Sequence, residues 1–163
     1  MKIKVFSVGG TIDKIYFDEL SEYQVGRPGV EEILADLPLS LQYDVEGLMR
    51  KDSLEMTNAD RDLVVERIQT CSYDKVLLTH GTDTMIETGR RLVSIPDKCI
   101  VLTGALQPAG FKASDAVFNI GMAIGILASH KNGVHIAMNG ECFDPLACRK
   151  DRTLGRFVRE STS

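Results

Sequence analysis

The chain has 163 residues, 44% of them hydrophobic, which is enough for one globular domain with a sizeable core. Charged residues make up 26% and the formal net charge is −4, a balance that argues against nucleic acid as the main partner. No apolar run is long enough to cross a membrane, and the first residues lack the long apolar core of a signal peptide.

The first strand covers about Lys2 to Val8 and stops at Gly9-Gly10, directly before Thr11. Paired glycines let the backbone approach a ligand closely, and they present Thr11 at the carboxyl edge of a sheet. No helical pattern begins there, so this is not a dinucleotide fingerprint. Lys14 to Tyr23 mixes polar and aromatic residues and reads as a long irregular loop. Its Tyr16, Phe17 and Tyr23 serve either as packing anchors or as groups that close over a site.

Pro28 suits the first turn of a helix with Val30, Ile33, Leu34 and Leu37 on one face, ended by Pro38. Leu41 to Met49 alternates toward a second strand, and Lys51 to Met56 is a polar loop at its carboxyl end. Thr57 then caps a helix, with Asp60 reaching back, whose apolar stripe is Leu63, Val64, Ile68 and Cys71.

The next unit is a buried strand, Lys75 to Thr79, broken at Gly81 and followed by a helix from Asp83 to Val93 through Ile86 and Arg90. Thr82, Asp83 and Thr84 stand where open α/β sheets place their ligands. Thr and Asp are also preferred helix caps, and for a lone Thr-Asp pair capping is the commoner use. The second glycine-to-threonine junction, at Gly10-Thr11, shifts that balance toward a site. His80 taken alone reads as a hydrogen-bonded structural histidine.

Cys99 to Thr103 is another apolar strand, ending at Gly104-Ala105, and Gln107 to Gly110 is loop. Ser114 or Asp115 caps a helix through Val117, Ile120, Ala123, Ile124 and Leu127, with Gly121 and Gly125 permitting close packing. Asn132-Gly133 turns the chain into a strand from Val134 to Met138. Five strands alternating with four helical patterns predict an α/β fold: a three-layer, mostly parallel sheet with helices on both faces. Asn139-Gly140 and Asp144-Pro145 mark the turns of a short hairpin with Leu146 to Lys150 as its second arm, and the tail from Arg149 reads as a solvated basic end. Cys71, Cys99, Cys142 and Cys148 form no CxxC pair and read as free thiols in a reducing cytoplasm.

Neighbouring parallel strand ends lie about 5 Å apart, so Thr11 and Thr82 can face one cavity. A threonine hydroxyl is a poor nucleophile until a base takes its proton. No Ser-His-Asp pattern and no zinc-ligand spacing is present, which leaves a desolvated lysine or a tyrosinate as base.

These junctions, taken with the loops around them, resemble the bacterial L-asparaginase family of threonine amidohydrolases. The carrying residues are Val8-Gly9-Gly10-Thr11-Ile12, Tyr23-Gln24-Val25-Gly26, Asp52 to Thr57, His80-Gly81-Thr82-Asp83-Thr84-Met85, Thr103 to Pro108, and Met138-Asn139 followed by Lys150. The resemblance implies an asparaginase N-terminal, Rossmann-like domain over residues 1–163, with the family's second, C-terminal domain absent. It implies hydrolysis of L-asparagine, L-glutamine or a related small amide through a threonine acyl-enzyme, with no cofactor. Thr11 matches the nucleophile, Tyr23 the lid residue that assists it, and Thr82, Asp83 and Lys150 a second cluster that handles the proton and the water. Ser53, Leu54, Thr82 and Asp83 match positions that hold the substrate's amino-acid head, and the Ala105 carbonyl matches the acceptor for the scissile amide. Backbone N–H groups after Gly10 and Gly81 suit an oxyanion hole.

The family usually has threonine at the place of Val8, a small residue at Asp13 and a polar one at Leu54. The resemblance further implies a homodimer or homotetramer, since the surface that meets the missing domain would otherwise stay exposed. The alternative is a non-catalytic amino-acid-binding or regulatory module that keeps the pocket.

Overall fold

The apolar runs become the strands they predict. In the structure, a computed structural model that describes residues 1–17 and 22–160, the first is β1 (Lys2–Gly9), buried from Ile3 onward. A single 3-10 turn, Thr11–Asp13, follows it, and then come β2 (Lys14–Phe17) and β3 (Glu22–Val25), paired antiparallel. The expected irregular loop is therefore a hairpin. Ile15, Tyr16, Phe17 and Tyr23 are all exposed; Tyr16 packs on Tyr23 and Tyr23 on Phe111, and these side chains do not anchor the hairpin in the core. Asp18 to Ser21, the middle of the expected lid, lie outside the described residues.

Helix α1 (Gly29–Asp36) buries Val30, Ile33 and Leu34 as its spacing predicts, and strand β4 (Gln42–Lys51) follows. Asp52 caps a short 3-10 turn, Ser53–Glu55, by accepting from the Leu54 N–H at 3.1 Å. Helix α2 (Asn58–Thr70) begins with the expected box: Thr57 accepts from the Asp60 N–H while the Asp60 carboxylate accepts from the Thr57 N–H at 2.7 Å. Strand β5 (Lys75–Thr79), helix α3 (Met85–Leu92), strand β6 (Cys99–Thr103), helix α4 (Ala116–Ser129) and strand β7 (Gly133–Met138) complete the alternating part.

The main sheet runs β4-β1-β5-β6-β7-β8, with β8 (Glu141–Phe143) added antiparallel at one edge. One core cluster packs α2 and α3, through Val64, Ile68, Met85 and Leu92, on Phe6, Leu78 and Ile100. The other packs α1 and α4, through Val30, Leu34, Ile120 and Leu127, on Val5, Leu77 and Val101. Alternate residues of each buried strand feed opposite clusters, which is the three-layer arrangement.

The phase of three helices differs from expectation. Leu63, Val93 and Val117 are exposed, while Arg61, Thr88, Gly89 and Asn119 take places on the buried faces. Each buried polar side chain has a partner there: Arg61 donates to the Met56 carbonyl at 2.9 Å, Thr88 meets His80 at 2.8 Å, and Asn119 donates to the Gly104 carbonyl at 3.0 Å. Gly121 and Gly125 face open space, so they provide no close packing.

The tail is the largest correction. Strand β9 (Cys148–Asp151) pairs antiparallel with β10 (Arg156–Arg159) in a sheet of its own, and not with β8. Phe157 is buried in the core with Phe143, their ring centroids 6.1 Å apart, and its N–H donates to the Asn139 side chain at 3.1 Å. Those contacts fold the expected solvated end back onto the domain. All four cysteines are free.

Strand β1 neighbours β5 in parallel, with Ser7 opposite Thr79, so the two glycine-threonine turns emerge side by side. Gly10 has φ 92° and ψ −173°, a region essentially reserved for glycine, and a Cβ there would stand 2.4 Å from Gly81 Cα. Gly10→Ala should therefore cost more than about 2 kcal/mol in denaturant unfolding, combining the 1–3 kcal/mol of backbone strain with a backbone clash. An unchanged denaturation midpoint would show that the turns do not need this contact.

Candidate active site

The carboxyl ends of β1 and β5 gather the residues singled out in the sequence. Gly81 is so close to Ser53 that a Cβ on it would meet the Ser53 side chain at 2.7 Å. The Thr84 hydroxyl donates to the Ser53 carbonyl at 2.8 Å, so it ties the second turn to the Asp52–Glu55 loop and does not cap α3. Three segments thus meet, from the starts of loops 10–13, 52–55 and 81–84.

The contact that sequence spacing alone could not show is made by Lys150. From β9 its Nζ donates to Thr82 Oγ1 at 2.7 Å and to Asp83 Oδ1 at 2.9 Å. Its side chain is only 16% exposed and Thr82 is buried, so this is not a solvated tail lysine. Arg152 lies a further 4.0 Å from the same Asp83 oxygen.

Thr11, half-buried, opens on a cavity of about 400 Å3 that Lys14, Tyr23, Leu106, Gln107, Pro108 and Phe111 also line. Lys14 pairs with Asp52 at 2.9 Å, which bridges the hairpin to the Ser53 loop. That bridge, with burial working against it, holds the Asp52 carboxyl below the usual range. Asp115 shapes the opposite wall by accepting from the Leu106 N–H at 2.9 Å and the Gln107 N–H at 3.1 Å. Ser53 and Ala105 are buried, whereas Leu54 is 65% exposed. The structure brings Thr82, Asp83 and Lys150 into contact and puts Thr11 with Tyr23 on one cavity. It leaves Leu54, on the Ser53 loop, largely exposed.

His80 has no part in this. Burial drives its pKa down to about 4, and its ring is engaged by the Gly81 carbonyl and the Thr88 hydroxyl at 2.8 Å each. It is a neutral structural histidine.

Sequence reading gave Asp13 no role beyond an unusual residue. It is buried directly after the Thr11 turn, accepting from Ser7 Oγ at 2.5 Å and from the Gly29 N–H, at the start of α1, at 2.7 Å. Its backbone carbonyl also takes the Gly26 N–H at 2.7 Å, closing the base of the hairpin. Burial raises its pKa above 3.8, partly offset by those two donors. The folded chain therefore binds this proton more readily than the unfolded chain. The resulting cost is absent below about 3.8, grows as pH rises and levels off above the raised value. Asp13→Asn keeps the acceptor for Gly29 and removes the charge. Its Tm should match wild type at acid pH and exceed it at neutral pH. Parallel Tm curves across that range would contradict the buried charge.

The family model described as "Asparaginase, N-terminal" matches residues 2–158. L-asparaginase 2 of Escherichia coli K12 is 32% identical over 165 residues, covering 93% of this chain and 47% of that protein. The glutaminase-asparaginase of Pseudomonas fluorescens biotype A is 29% identical over 153 residues, covering 85% and 42%. Among solved structures, the thermostable L-asparaginase from Thermococcus kodakarensis superposes with a TM-score of 0.87 at 23% identity, over 98% of this chain and 51% of that one, a likeness of fold. The chain spans about half the length of the relatives it matches.

Proposed function

The chain belongs to the asparaginase family, and from that premise we propose that it hydrolyses L-asparagine, or L-glutamine or a related small amide, to the acid and ammonia. The carrying observation is Lys150, brought 68 residues along the chain to donate to Thr82 Oγ1 and paired with Asp83. A binding module has no need of a buried lysine against a threonine hydroxyl.

On this reading Thr11 Oγ attacks the amide carbon. Backbone N–H groups of the two glycine turns hold the oxyanion, the C–N bond breaks, and ammonia leaves with the proton. Water then attacks the threonyl ester, with Thr82, Asp83 and Lys150 managing its proton, and the acid is released. Tyr23 covers the substrate. Ser53 and Asp83 take the amino-acid head, Leu54 borders it without a hydrogen bond, and the Ala105 carbonyl accepts from the amide.

Two clusters on one sheet support a single catalytic domain, and four free thiols support a cytoplasmic setting. No helix among the described residues is long and apolar enough to cross a membrane. The family reading makes the assembly a homodimer or homotetramer. The test is ammonia release by the purified chain from asparagine and from glutamine, beside calorimetric binding of both. Release above the no-enzyme rate supports hydrolysis. Binding without release identifies the non-catalytic alternative.

A further inference from the structure

The cavity at Thr11 is chemically unlike the head-group cluster. Of the residues assigned to hold an amino-acid head, Ser53, Leu54, Thr82 and Asp83, none lines it. Tyr23, Leu106, Pro108 and Phe111 make most of its wall, Gln107 is its one amide, and its one lysine is already paired with Asp52. Tyr23, Leu106 and Phe111 are each about half exposed, and the Tyr23 and Phe111 rings stand 6.0 Å apart. Exposed apolar side chains gathered at one mouth mark a ligand groove more often than chance scatter.

The volume points the same way. About 400 Å3 falls in the range that encloses ligands of drug size. Asparagine is small and zwitterionic, and its amide has no apolar surface to place there. The wall is also built in advance, because Asp115 fixes Leu106 and Gln107 through their N–H groups and Asn119 holds Asp115 at 2.9 Å.

Resting on the amidohydrolase reading, we propose that the site takes side-chain amides whose nitrogen carries an apolar group. The head binds at Ser53 and Asp83, the carbonyl carbon lies at Thr11, and the substituent on nitrogen fills the space between Tyr23, Leu106, Pro108 and Phe111. The chemistry is unchanged. Thr11 Oγ forms the ester bond, the C–N bond breaks, and the hydroxyl proton ends on a departing primary amine in place of ammonia. Water then cleaves the ester.

The test compares N4-benzyl-L-asparagine with L-asparagine, since benzylamine and ammonia are bases of similar strength and leaving-group chemistry is matched. The expected kcat/KM for the benzyl amide exceeds that for asparagine at least tenfold, mainly through a lower KM. In Phe111→Ala the ratio of the two kcat/KM values falls about tenfold, because the ring that meets the substituent is gone. A role in holding the fold would lower both rates alike and leave the ratio untouched, and Tm of the variant checks the fold directly. Hydrolysis of asparagine with a slower benzyl amide overturns this inference and leaves the amidohydrolase reading standing. Hydrolysis of neither overturns both.

Discussion

On the proposed mechanism, Thr11→Ala is expected to abolish ammonia release from L-asparagine, lowering kcat by about 10³-fold or more, while Tm stays near that of wild type. The size follows from the role: without the hydroxyl no ester forms, and what persists is binding and whatever the oxyanion donors supply to water. The intact fold follows from the position. Thr11 begins its 3-10 turn through Gly10, with no side-chain capping bond, and its side chain faces a cavity and not a core. Removing a hydroxyl there leaves no buried group without a partner. Single-turnover assays and thermal melts of the same preparation measure both halves. Turnover above about a tenth of wild type would remove Thr11 from the nucleophile's place.

On the same mechanism, Lys150→Met is expected to give the second large effect, a fall in kcat of about 10²–10³-fold, the range of one positioned proton-transfer group. Nζ donates to both Thr82 and Asp83, so among the described residues the methionine leaves a half-buried Asp83 with Arg152, 4.0 Å away, as its one remaining cation. The informative readout is kcat measured beside Tm. A variant that folds and keeps kcat within about tenfold of wild type would reduce the lysine to a structural tie between β9 and the Thr82 turn.

What the sequence revealed, and what it hid, has a physical pattern. Strands β5 and β6 are legible because both of their faces are buried, which leaves a continuous apolar run, and β1 because its alternating apolar residues stop at paired glycines. The Thr57-Asp60 box was legible because capping is local. The hairpin of β2 and β3 was not, since Ile15, Tyr16 and Tyr23 are exposed and no contrast between inside and outside marks its strands. Helix phases slipped where Arg61, Thr88 and Asn119 replace apolar residues on buried faces. In the site, the glycine-threonine turns stood out at once. Asp13 did not, because its meaning depends on a partner 16 residues ahead, and Lys14 and Asp52 each look like ordinary surface charges until the fold pairs them. Phe111 gave no signal at all beyond being an aromatic in a loop.

The separate sheet of β9 and β10 also fixes an order of assembly. Lys150 lies opposite the buried Phe157, and its two bonds cross 68 and 67 residues of chain. Contacts that close such long loops form late, after local turns and neighbouring strands. During synthesis Thr11, Ser53 and Thr82 emerge long before the lysine and the phenylalanine that seats it. A partly made chain therefore carries both threonine turns with no ammonium between Thr82 and Asp83. On the proposed mechanism, hydrolysis cannot start before the β9–β10 hairpin has docked.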